Sequence, residues 1–319
     1  MNPMIDTLGT IGIVPVIKIE SAEKAVPLVE ALRSGGLPCA EFTFRSDAAE
    51  GSIRAVAKAY PDFPVGAGTV INRELAERAV DSGARFIVAP GFNPSVVDWC
   101  LSKGFPVMPG VNTPSDIEAA LERGLSILKF FPAEASGGVA MLDALAGPFQ
   151  HISFVPTGGI DLSNLAEYAR RANVHAIGGS WMVKTALIES GDWAQISALA
   201  CEAVTAVQGF AFAHVGINCP DSGAARETSG FFANLGFPQK DGASSFFNDT
   251  TIEVMKSPFR GTAGHIGIRC WNVERSLSFL ERFGFKPVPE TVKREGGRIS
   301  VAYLDREVGG FAVHLVRAK

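Results

Sequence analysis

Paired cysteines, excess positive charge and long apolar runs are all missing from this 319-residue sequence. The five cysteines lack C-x-x-C spacing, and the chain does not start with a basic stretch and an apolar signal segment, so we expect a protein of the reduced cytoplasm. A net charge of −4 without blocks of Lys or Arg argues against nucleic-acid binding. No apolar run approaches the roughly 18 residues that a membrane span needs.

What is present is enough apolar material for more than one core. Hydrophobic residues make up 47% of the chain, which suits one large domain and a second, smaller one. From residue 11 to about 209, short apolar runs alternate with amphipathic segments. Beyond that point strand-like runs dominate and repeat, so we expect two domains, residues 1–209 and 210–319.

The first domain contains strand-like runs, each followed by a helix signal. The runs are residues 11–19, 39–45, 64–70, 85–91, 106–111, 126–132, 153–159 and 174–180. Side chains placed to cap the following helices are Ser21, Asp47, Asn72, Asn93, Thr113 and Asp161. Eight even units favour an α/β fold of the (β/α)8 TIM-barrel type, and a doubly wound open sheet is the weaker alternative.

The run "SILKFFP" contains one charged residue, Lys129. Alternate side chains of a barrel strand point to the lumen, so Lys129 shares a face with Ile127 and Phe131. Burial against the helices would strand the charge in hydrocarbon, whereas barrel active sites lie at the C-terminal end of the lumen. A lysine that snorkels from the strand end to water is the alternative.

The second strand, "EFTFR", places Glu41, Thr43 and Arg45 on one face at its C-terminal end. Three polar residues facing the lumen are hard to explain by packing alone. A structural ion pair of Glu41 with Arg45 or with Lys129 is the alternative to a catalytic role.

Paired glycines follow the seventh strand in "PTGGI" and end the eighth in "IGGSW". Backbone N–H groups at such turns can approach an anion without interference from Cβ atoms, and barrel phosphate sites are built from these two loops. Either pair alone could be an ordinary turn. Together, with the hydroxyl of Ser180 beside them, they indicate a phosphate site.

These parts predict a lysine-dependent aldolase for a 2-oxo acid that carries a phosphate. A desolvated lysine has a lowered pKa and can attack a ketone to form a Schiff base. Glu41 can move protons as a general acid and base, and the fork of Arg45 suits a carboxylate. A phosphate-binding barrel isomerase or epimerase, which would use Glu41 without an imine, is the competing class.

The motifs "EFTFRS", "GAGTV", "PGVNTPSD", "KFFPAEASGG", "PTGGI" and "IGGSW" resemble, in order, those of the 2-dehydro-3-deoxy-6-phosphogluconate (KDPG) aldolases, which also act on 4-hydroxy-2-oxoglutarate (KHG). The resemblance covers about residues 9–207. It implies reversible cleavage of KDPG to pyruvate and glyceraldehyde 3-phosphate, and of KHG to pyruvate and glyoxylate, without a cofactor. A homotrimer is expected from the same resemblance.

The resemblance also implies roles for single residues. Lys129 would form the Schiff base and Glu41 would be the general acid and base. The other implied residues are Arg45 and Thr69 at the pyruvate portion, Pro90 and Phe131 along the pocket, and Gly158, Gly159, Gly178, Gly179 and Ser180 around the phosphate. Ser46 and Ala89 stand where the family usually has threonine and serine, and neither change removes a catalytic group.

The second domain repeats "HVGINC" at 214 as "HIGIRC" at 265, and each copy is followed by a helix and further strands. This predicts a small α+β domain of two βαβββ modules, with a trimmed middle hairpin in the shorter first module. His214, His265 and His314 lie at repeat-related strand positions, and Glu253 occupies the slot of His314 in the first module. Such a set suits Zn, Ni, Fe, Co or Mn, although histidines bonded to backbone groups would need no metal.

The paired modules are similar to the vicinal-oxygen-chelate, or glyoxalase-like, fold, in which each module supplies ligands from its first and last strands. The resemblance implies His214, Glu253, His265 and His314 as the ligand positions, with histidine where that family more commonly has glutamate at the last. Two roles stay open for this domain: a second, metal-dependent active site for a small carbonyl or diol compound, or a binding and assembly module.

Overall fold

The chain was analysed as a computed structural model, which describes residues 2–318. It divides into two compact units, with the boundary between Val207 and Gln208. The five cysteines, at 39, 100, 201, 219 and 270, are all unpaired thiols. Within the described range, no helix combines the length and the apolar character needed to cross a membrane.

The strands of the first unit run parallel and curl into an α/β barrel. They are β1 Ile13–Ile17, β2 Ala40–Thr43, β3 Val65–Gly68, β4 Phe86–Val88, β5 Val107–Met108, β6 Gly110–Val111, β7 Ile127–Phe130, β8 Ser153–Pro156 and β9 Ile177–Gly179. Hydrogen bonds link β5-β4-β3-β2-β1-β9 and, separately, β6-β7-β8. Bridges from Phe154 to Val174 and from Thr157 to Gly178 join β8 to the β9 side.

The predicted strand over residues 106–111 is interrupted at Pro109, which separates β5 from β6. Proline has no N–H to give to a ladder, which favours a break at this point. The carbonyl of Pro109 still accepts the N–H of Lys129 at 3.0 Å, so the barrel wall continues across the break. Taken as two halves of one strand, β5 and β6 leave the order of the predicted barrel unchanged.

Helices alternate with these strands. They are α1 Pro3–Ile11, α2 Ala25–Ser34, α3 Ala48–Ala59, α4 Arg73–Asp81, α5 Pro94–Ser102, α6 Pro114–Leu121, α7 Gly138–Ala146, α8 Leu165–Ala169, α9 Thr185–Ser190 and α10 Trp193–Ala206. Asn72, Asn93 and Thr113 accept N–H groups of the first helical turn, as predicted.

The predicted caps Ser21, Asp47 and Asp161 are wrong. Ser21 and Asp47 precede helical turns but make no side-chain cap bond. Asp161 lies too early, because α8 begins only at Leu165. Its carboxylate instead accepts the backbone N–H and the hydroxyl of Ser163, at 2.8 Å and 2.6 Å, within a turn.

The second unit contains two successive βαβββ modules. The first is β10 Ala211–Asn218, α11 Ser222–Asn234, β11 Gln239–Asp241, β12 Ser245–Asn248 and β13 Ile252–Met255. The second is β14 Gly264–Cys270, α12 Val273–Glu281, β15 Lys293–Glu295, β16 Arg298–Val308 and β17 Phe311–Arg317. Their hairpins differ in length, since β12 has 4 residues and β16 has 11.

All these strands form one sheet in the order β11-β12-β13-β10-β14-β17-β16-β15. The first strands of the modules, β10 and β14, are antiparallel neighbours, and each pairs in parallel with the last strand of its own module. The two helices cover one face of the sheet, packing on apolar strand residues such as Phe246 and Leu315. Side chains alternate between the faces of a strand, so residues next to these, such as Phe247, lie on the opposite face.

Candidate functional site

Lys129 and Glu41 form a buried pair inside the barrel. Their side chains are only 7% and 4% exposed, and Lys129 Nζ lies 3.7 Å from Glu41 Oε1. The ring of Phe131 stands 5.2 Å from the same nitrogen. The alternation of β7 therefore turns Lys129 inward, onto β2. Of the predicted alternatives, snorkelling to solvent is wrong, and an ion pair with Glu41 is formed.

A neighbouring glycine makes the room that Glu41 needs. Gly68, at the end of β3, pairs with Thr43 of β2, and a Cβ there would lie 2.1 Å from Glu41 Oε1. Within residues 2–318 this oxygen is buried and accepts no hydrogen bond. A buried carboxylate oxygen without a donor is costly, so it is available to a ligand group. The sequence interpretation quoted the motif "GAGTV" but did not assign Gly68 this role.

The other polar residues of the second strand have a different arrangement. The hydroxyl of Thr43 donates to the carbonyl of Ile17 at 2.8 Å and accepts from Arg45 Nε at 3.1 Å. Arg45 is exposed, and the described residues contain no ion pair between it and Glu41. Thr43 thus orients the guanidinium of Arg45 at the strand end and leaves part of its fork for a ligand.

Thr69 and Pro90 follow β3 and β4, at the same end of the barrel as Lys129. Thr69 has a φ of 60°, a strained conformation for a β-branched residue. The carbonyl of Pro90 lies so close to β6 that a Cβ at Gly110 would be 2.1 Å from it. Both residues are half-buried, so they can line a cavity mouth.

The two glycine loops are neighbours. Gly158 and Gly159 have φ values of 102° and 80°, which glycine adopts readily, and the bridge between Thr157 and Gly178 joins this turn to β9. Packing explains why glycine occupies positions 178 and 179, because a Cβ at Gly178 would lie 2.3 Å from Thr157 and one at Gly179 would lie 1.8 Å from Trp181. Ser180, directly after them, is exposed.

An acidic residue behind these loops was missed by the sequence interpretation. The Tyr168 hydroxyl donates a short hydrogen bond to Glu134 Oε1, and burial together with Glu134 raises the pKa of Tyr168. A Cβ at Gly159 would lie 2.7 Å from the Glu134 side chain. Glu134 belongs to the quoted motif "KFFPAEASGG", which was the available signal for it.

Comparison with known proteins decides the family of the barrel unit. The profile of the family described as "KDPG and KHG aldolase" matches residues 4–199, more than half of the chain. The chain belongs to this family. The match ends before Gln208, where the second unit begins.

Individual relatives agree with this assignment. The 2-dehydro-3-deoxy-phosphogluconate aldolase of Treponema pallidum is 48% identical over 199 residues, covering 62% of this chain and 95% of that protein. The KHG/KDPG aldolase of Escherichia coli K12 is 42% identical over 197 residues, covering 62% and 92%. The crystal structure of the KDPG aldolase of Legionella pneumophila, with pyruvate captured as a covalent carbinolamine, has a TM-score of 0.61 and 36% identity, covering 64% of this chain and 98% of that one.

The second unit contains a cluster of three histidines and one carboxylate. One ring nitrogen from each of His214, His265 and His314 lies within 4.8 Å of the other two. Glu253 Oε2 lies 3.1 Å from His265 Nε2 and 3.7 Å from His214 Nε2. The structure thus brings together the four residues that the repeat suggested, one from each of β10, β13, β14 and β17.

Glycines in the sheet let the rings lie side by side. Gly216 separates Glu253 from His265 across the strands, and Gly267 separates His214 from His314. A Cβ at Gly216 would be 2.0 Å from the His265 ring, and one at Gly267 would be 2.6 Å from the His214 ring. The H-x-G pattern of both repeats therefore has a steric reason.

Electrostatics favour the neutral forms of His214 and His314 beside an ionised Glu253. Burial lowers the pKa of His214, and it lowers that of His314 to about 3. Burial raises the pKa of Glu253, but hydrogen bonds from His265 and Ser245 outweigh it, and the net shift is downward. Neutral imidazole and carboxylate are the forms that bind divalent metals.

Two ring nitrogens in the cluster lack partners. His265 Nδ1 and His314 Nδ1 are buried and make no hydrogen bond within the described residues. Backbone bonding, the metal-free alternative, thus leaves these two nitrogens unsatisfied. The donor set, three imidazoles and one carboxylate, fits a divalent ion.

Tyr303 is a second residue that the sequence interpretation missed. It pairs with His314 across β16 and β17, and its ring centre is 4.5 Å from that of His314. Burial, with the charge of Glu253, raises the pKa of Tyr303 to about 12, so the hydroxyl stays protonated. Aligning the hairpins of the two modules would have predicted this residue. Phe247 lies opposite Glu253 in the first module, just as Tyr303 lies opposite His314 in the second.

Proposed function

We propose that the barrel unit is a Schiff-base aldolase that reversibly cleaves KDPG to pyruvate and glyceraldehyde 3-phosphate, and KHG to pyruvate and glyoxylate. The observation that carries the proposal is the buried pair of Lys129 and Glu41, with an unpartnered carboxylate oxygen 3.7 Å from the amine. The captured carbinolamine of the Legionella relative supports the same chemistry. The reaction requires no metal or organic cofactor.

The reaction begins when Lys129 transfers a proton to Glu41, 3.7 Å away, which leaves its nitrogen free to attack. Its nitrogen attacks C2 of the substrate ketone to give a carbinolamine, and loss of water gives a protonated imine. Glu41 supplies the proton for the departing hydroxyl and takes it back when water returns at the end of the cycle. Both side chains are buried, so little water surrounds them. The electrostatic interaction between the two groups is therefore stronger than it would be in solvent.

Carbon–carbon cleavage uses the imine as the electron acceptor. Glu41 removes the proton from the C4 hydroxyl, the C3–C4 bond breaks, and its electron pair moves into the imine to form an enamine. The aldehyde leaves, Glu41 passes the proton it took from the C4 hydroxyl to C3, and hydrolysis of the imine frees pyruvate and Lys129.

The remaining residues bind the two ends of the substrate. Arg45 and Thr69 hold the carboxylate of the pyruvate portion, because the guanidinium fork is oriented by Thr43 at this end of the barrel. Pro90 and Phe131 line the pocket. The glycine loops and Ser180 hold the phosphate by backbone N–H and hydroxyl groups. For KHG, which lacks phosphate, these loops contribute less.

Borohydride reduction tests the imine. Treatment with pyruvate and borohydride should add a stable three-carbon group to Lys129, found by peptide mass spectrometry, and abolish cleavage. Unmodified Lys129 in fully active protein would overturn the proposal. An isomerase or epimerase would lose turnover in Lys129→Met yet resist borohydride in the presence of substrate.

Assembly and location also belong to this proposal. The family resemblance supports a homotrimer, and the unpaired cysteines support the reduced cytoplasm. Sedimentation of the full chain tests the first, since a monomer at micromolar concentration would contradict it.

For residues 210–319 we propose a glyoxalase-like domain with a divalent metal centre held by His214, Glu253, His265 and His314. The convergence of three imidazoles and one half-buried carboxylate supports this function over a purely structural cluster. The metal would supply a Lewis acid, and the candidate ions are Zn, Ni, Mn, Fe and Co. A binding and assembly module is the alternative role.

Metal content per chain tests this second proposal. Plasma mass spectrometry on protein purified without chelator should find about one ion per chain, lost in a His265→Ala, Glu253→Ala double variant. A chain that takes up none of the five metals after incubation would leave the histidines structural. Deletion of the second unit followed by sedimentation would reveal an assembly role.

A further inference from the structure

The two modules match in their metal-binding positions but differ in what surrounds them. Beside Glu253 the first module presents Phe247, whose ring centre is 6.3 Å from that of His214. In the corresponding place the second module presents Tyr303, next to His314. The Phe247 side of the cluster thus presents a phenyl ring, with the Ser245 hydroxyl bonded to Glu253, and the other side presents the phenol of Tyr303.

An arginine adds charge to the Tyr303 side. The guanidinium carbon of Arg260 lies over the Tyr303 ring, 5.5 Å from its centre. Phe259 completes this side, with its ring centre 6.2 Å from His265 and 6.1 Å from Tyr303. Since Tyr303 itself touches His314, a guanidinium stands one aromatic ring away from the cluster.

The segment that carries Arg260 is held in position. The Asn218 side chain accepts the N–H of Phe259 at 3.1 Å and donates to the carbonyl of Gly261 at 2.8 Å, so it brackets Arg260 on both sides. Gly261 has a φ of 81°, and a Cβ there would lie 1.9 Å from the carbonyl of Gly264. Arg260 is therefore presented by a shaped turn.

A second anchor fixes the end of the same segment. The carboxylate of Glu307 accepts the N–H and the hydroxyl of Thr262, at 3.1 Å and 3.0 Å. Arg260 itself has one long contact with Glu290, at 3.3 Å, between side chains 36% and 68% exposed. Such exposed pairs are weak, so most of the guanidinium fork can bind a ligand.

We propose that Arg260 binds the carboxylate of a small 2-hydroxy or 2-oxo acid whose oxygens also coordinate the metal ion held by the histidine cluster. This inference rests on the proposed metal centre. One carboxylate oxygen and the neighbouring hydroxyl or carbonyl oxygen meet the ion, and the second carboxylate oxygen meets Arg260. The short carbon chain lies towards the ring of Phe247.

Charge supports an anionic ligand. A divalent ion with Glu253 as its single carboxylate ligand keeps a net positive charge, and Arg260 adds another on the same side. A guanidinium and a carboxylate form charge-assisted hydrogen bonds, which are about twice as strong as neutral ones. A neutral diol or amide of the same size gains only the contacts with the metal.

Manganese makes a local probe for the test. Mn²⁺ bound to the full-length protein is titrated with glycolate and, separately, with glycolamide, which replaces the carboxylate by a neutral amide. Water-proton relaxation and the Mn²⁺ resonance spectrum report only ligands beside the metal, so binding of glycolate in the barrel does not interfere. We expect glycolate to bind at least about tenfold more tightly than glycolamide.

Arg260→Gln should weaken glycolate about tenfold or more while leaving glycolamide affinity and Mn²⁺ stoichiometry unchanged. Arg260→Lys keeps the positive charge but lacks the guanidinium fork, so its affinity for glycolate should lie between those of the native chain and Arg260→Gln. The matched control is Arg226→Gln, since Arg226 stacks on Phe246, on the helix-covered face of the sheet, at 5.3 Å.

Equal affinity of glycolate and glycolamide in the native chain would overturn the inference without any variant. A glycolate affinity unchanged in Arg260→Gln would do the same. If no Mn²⁺ binds, the same comparison is made with Co²⁺, read by its absorption spectrum, and a chain that binds none of the five candidate metals loses the metal centre and with it both proposals. If Mn²⁺ binds and the carboxylate gives no advantage, only the role of Arg260 is lost.

Discussion

The barrel and the second unit both bury polar side chains in apolar surroundings, but their charges balance differently. In the barrel, one ammonium group and one carboxylate lie 3.7 Å apart and can compensate each other. In the second unit, three imidazoles meet a single carboxylate, and burial lowers the pKa of two of them. The first set is complete as a reactive pair. The second set has more imidazole nitrogens than its one carboxylate can bond, which supports the proposed metal centre.

Both sites also depend on glycines that leave space for a functional side chain. Gly68 does this for Glu41, and Gly216 and Gly267 do it for two histidine rings. In the barrel, the space above Gly68 allows Oε1 of Glu41 to face Lys129. In the sheet, the space left by Gly216 and Gly267 allows histidine rings from separate strands to converge. Glycine thus makes room for a reactive pair in one unit and for a group of imidazoles in the other.

Lys129→Met should give the largest effect and separate the two sites. Loss of the amine removes the imine, and we expect cleavage of KDPG to fall at least about a thousandfold, measured by pyruvate release. Metal content should not change. Activity within tenfold of the native chain would contradict the role of Lys129.

Gly68→Ala should have the next largest effect on activity. The added methyl would meet Glu41 Oε1 at 2.1 Å, and displacement of a catalytic group by about 1 Å can cost about a hundredfold in rate. We expect kcat to fall by about that factor with little change in Tm. The matched control is Gly91→Ala, where a Cβ meets nothing within 4 Å and activity should persist.

Metal binding should stabilise the second unit alone. At a free Zn²⁺ concentration a hundredfold above its Kd, linkage predicts about 2.7 kcal/mol of added stability. Hydrogen exchange read by mass spectrometry should slow in peptides from 208–318 and not in those from the barrel. His265→Gln should remove the effect, and equal protection in both units would contradict it.

Acid should destabilise the metal-free second unit by a smaller amount. Free histidine has a pKa of about 6.5, and the folded values of His214 and His314 are lower, so the unfolded chain binds protons more readily. The stabilisation is present above about pH 6.5 and is lost as the pH falls towards the His314 value of about 3. Exchange of the same peptides between pH 7 and pH 4, normalised for intrinsic rate, should show this loss, and His314→Asn should reduce it.

Sequence periodicity predicted the barrel because alternation and charge act locally. Lys129 is the one charged residue in its strand, and the two-residue period turns it inward once the strand is identified. The repeat did the same for His214 and His265, since equal positions in two modules lie on one face. Family membership of the barrel was confirmed, while the roles of single residues stay predictions.

Features that depend on tertiary contacts were beyond the sequence pattern. The contact of Tyr303 with His314 depends on which strands are neighbours in the sheet, whereas the break at Pro109 and the turn at Asp161 have local causes. Arg260 is the clearest case. Its position is set by Asn218 of β10, which is distant in sequence from the segment between the modules that carries Arg260.

The antiparallel pairing of β10 with β14 has a consequence for assembly of the second unit. Each βαβββ module supplies only two of the four donors, and a slip of one residue between these strands would turn one histidine to the helix-covered face. Neither half alone can hold an ion in this arrangement. Metal uptake during refolding would therefore mark the moment when the two halves join in register.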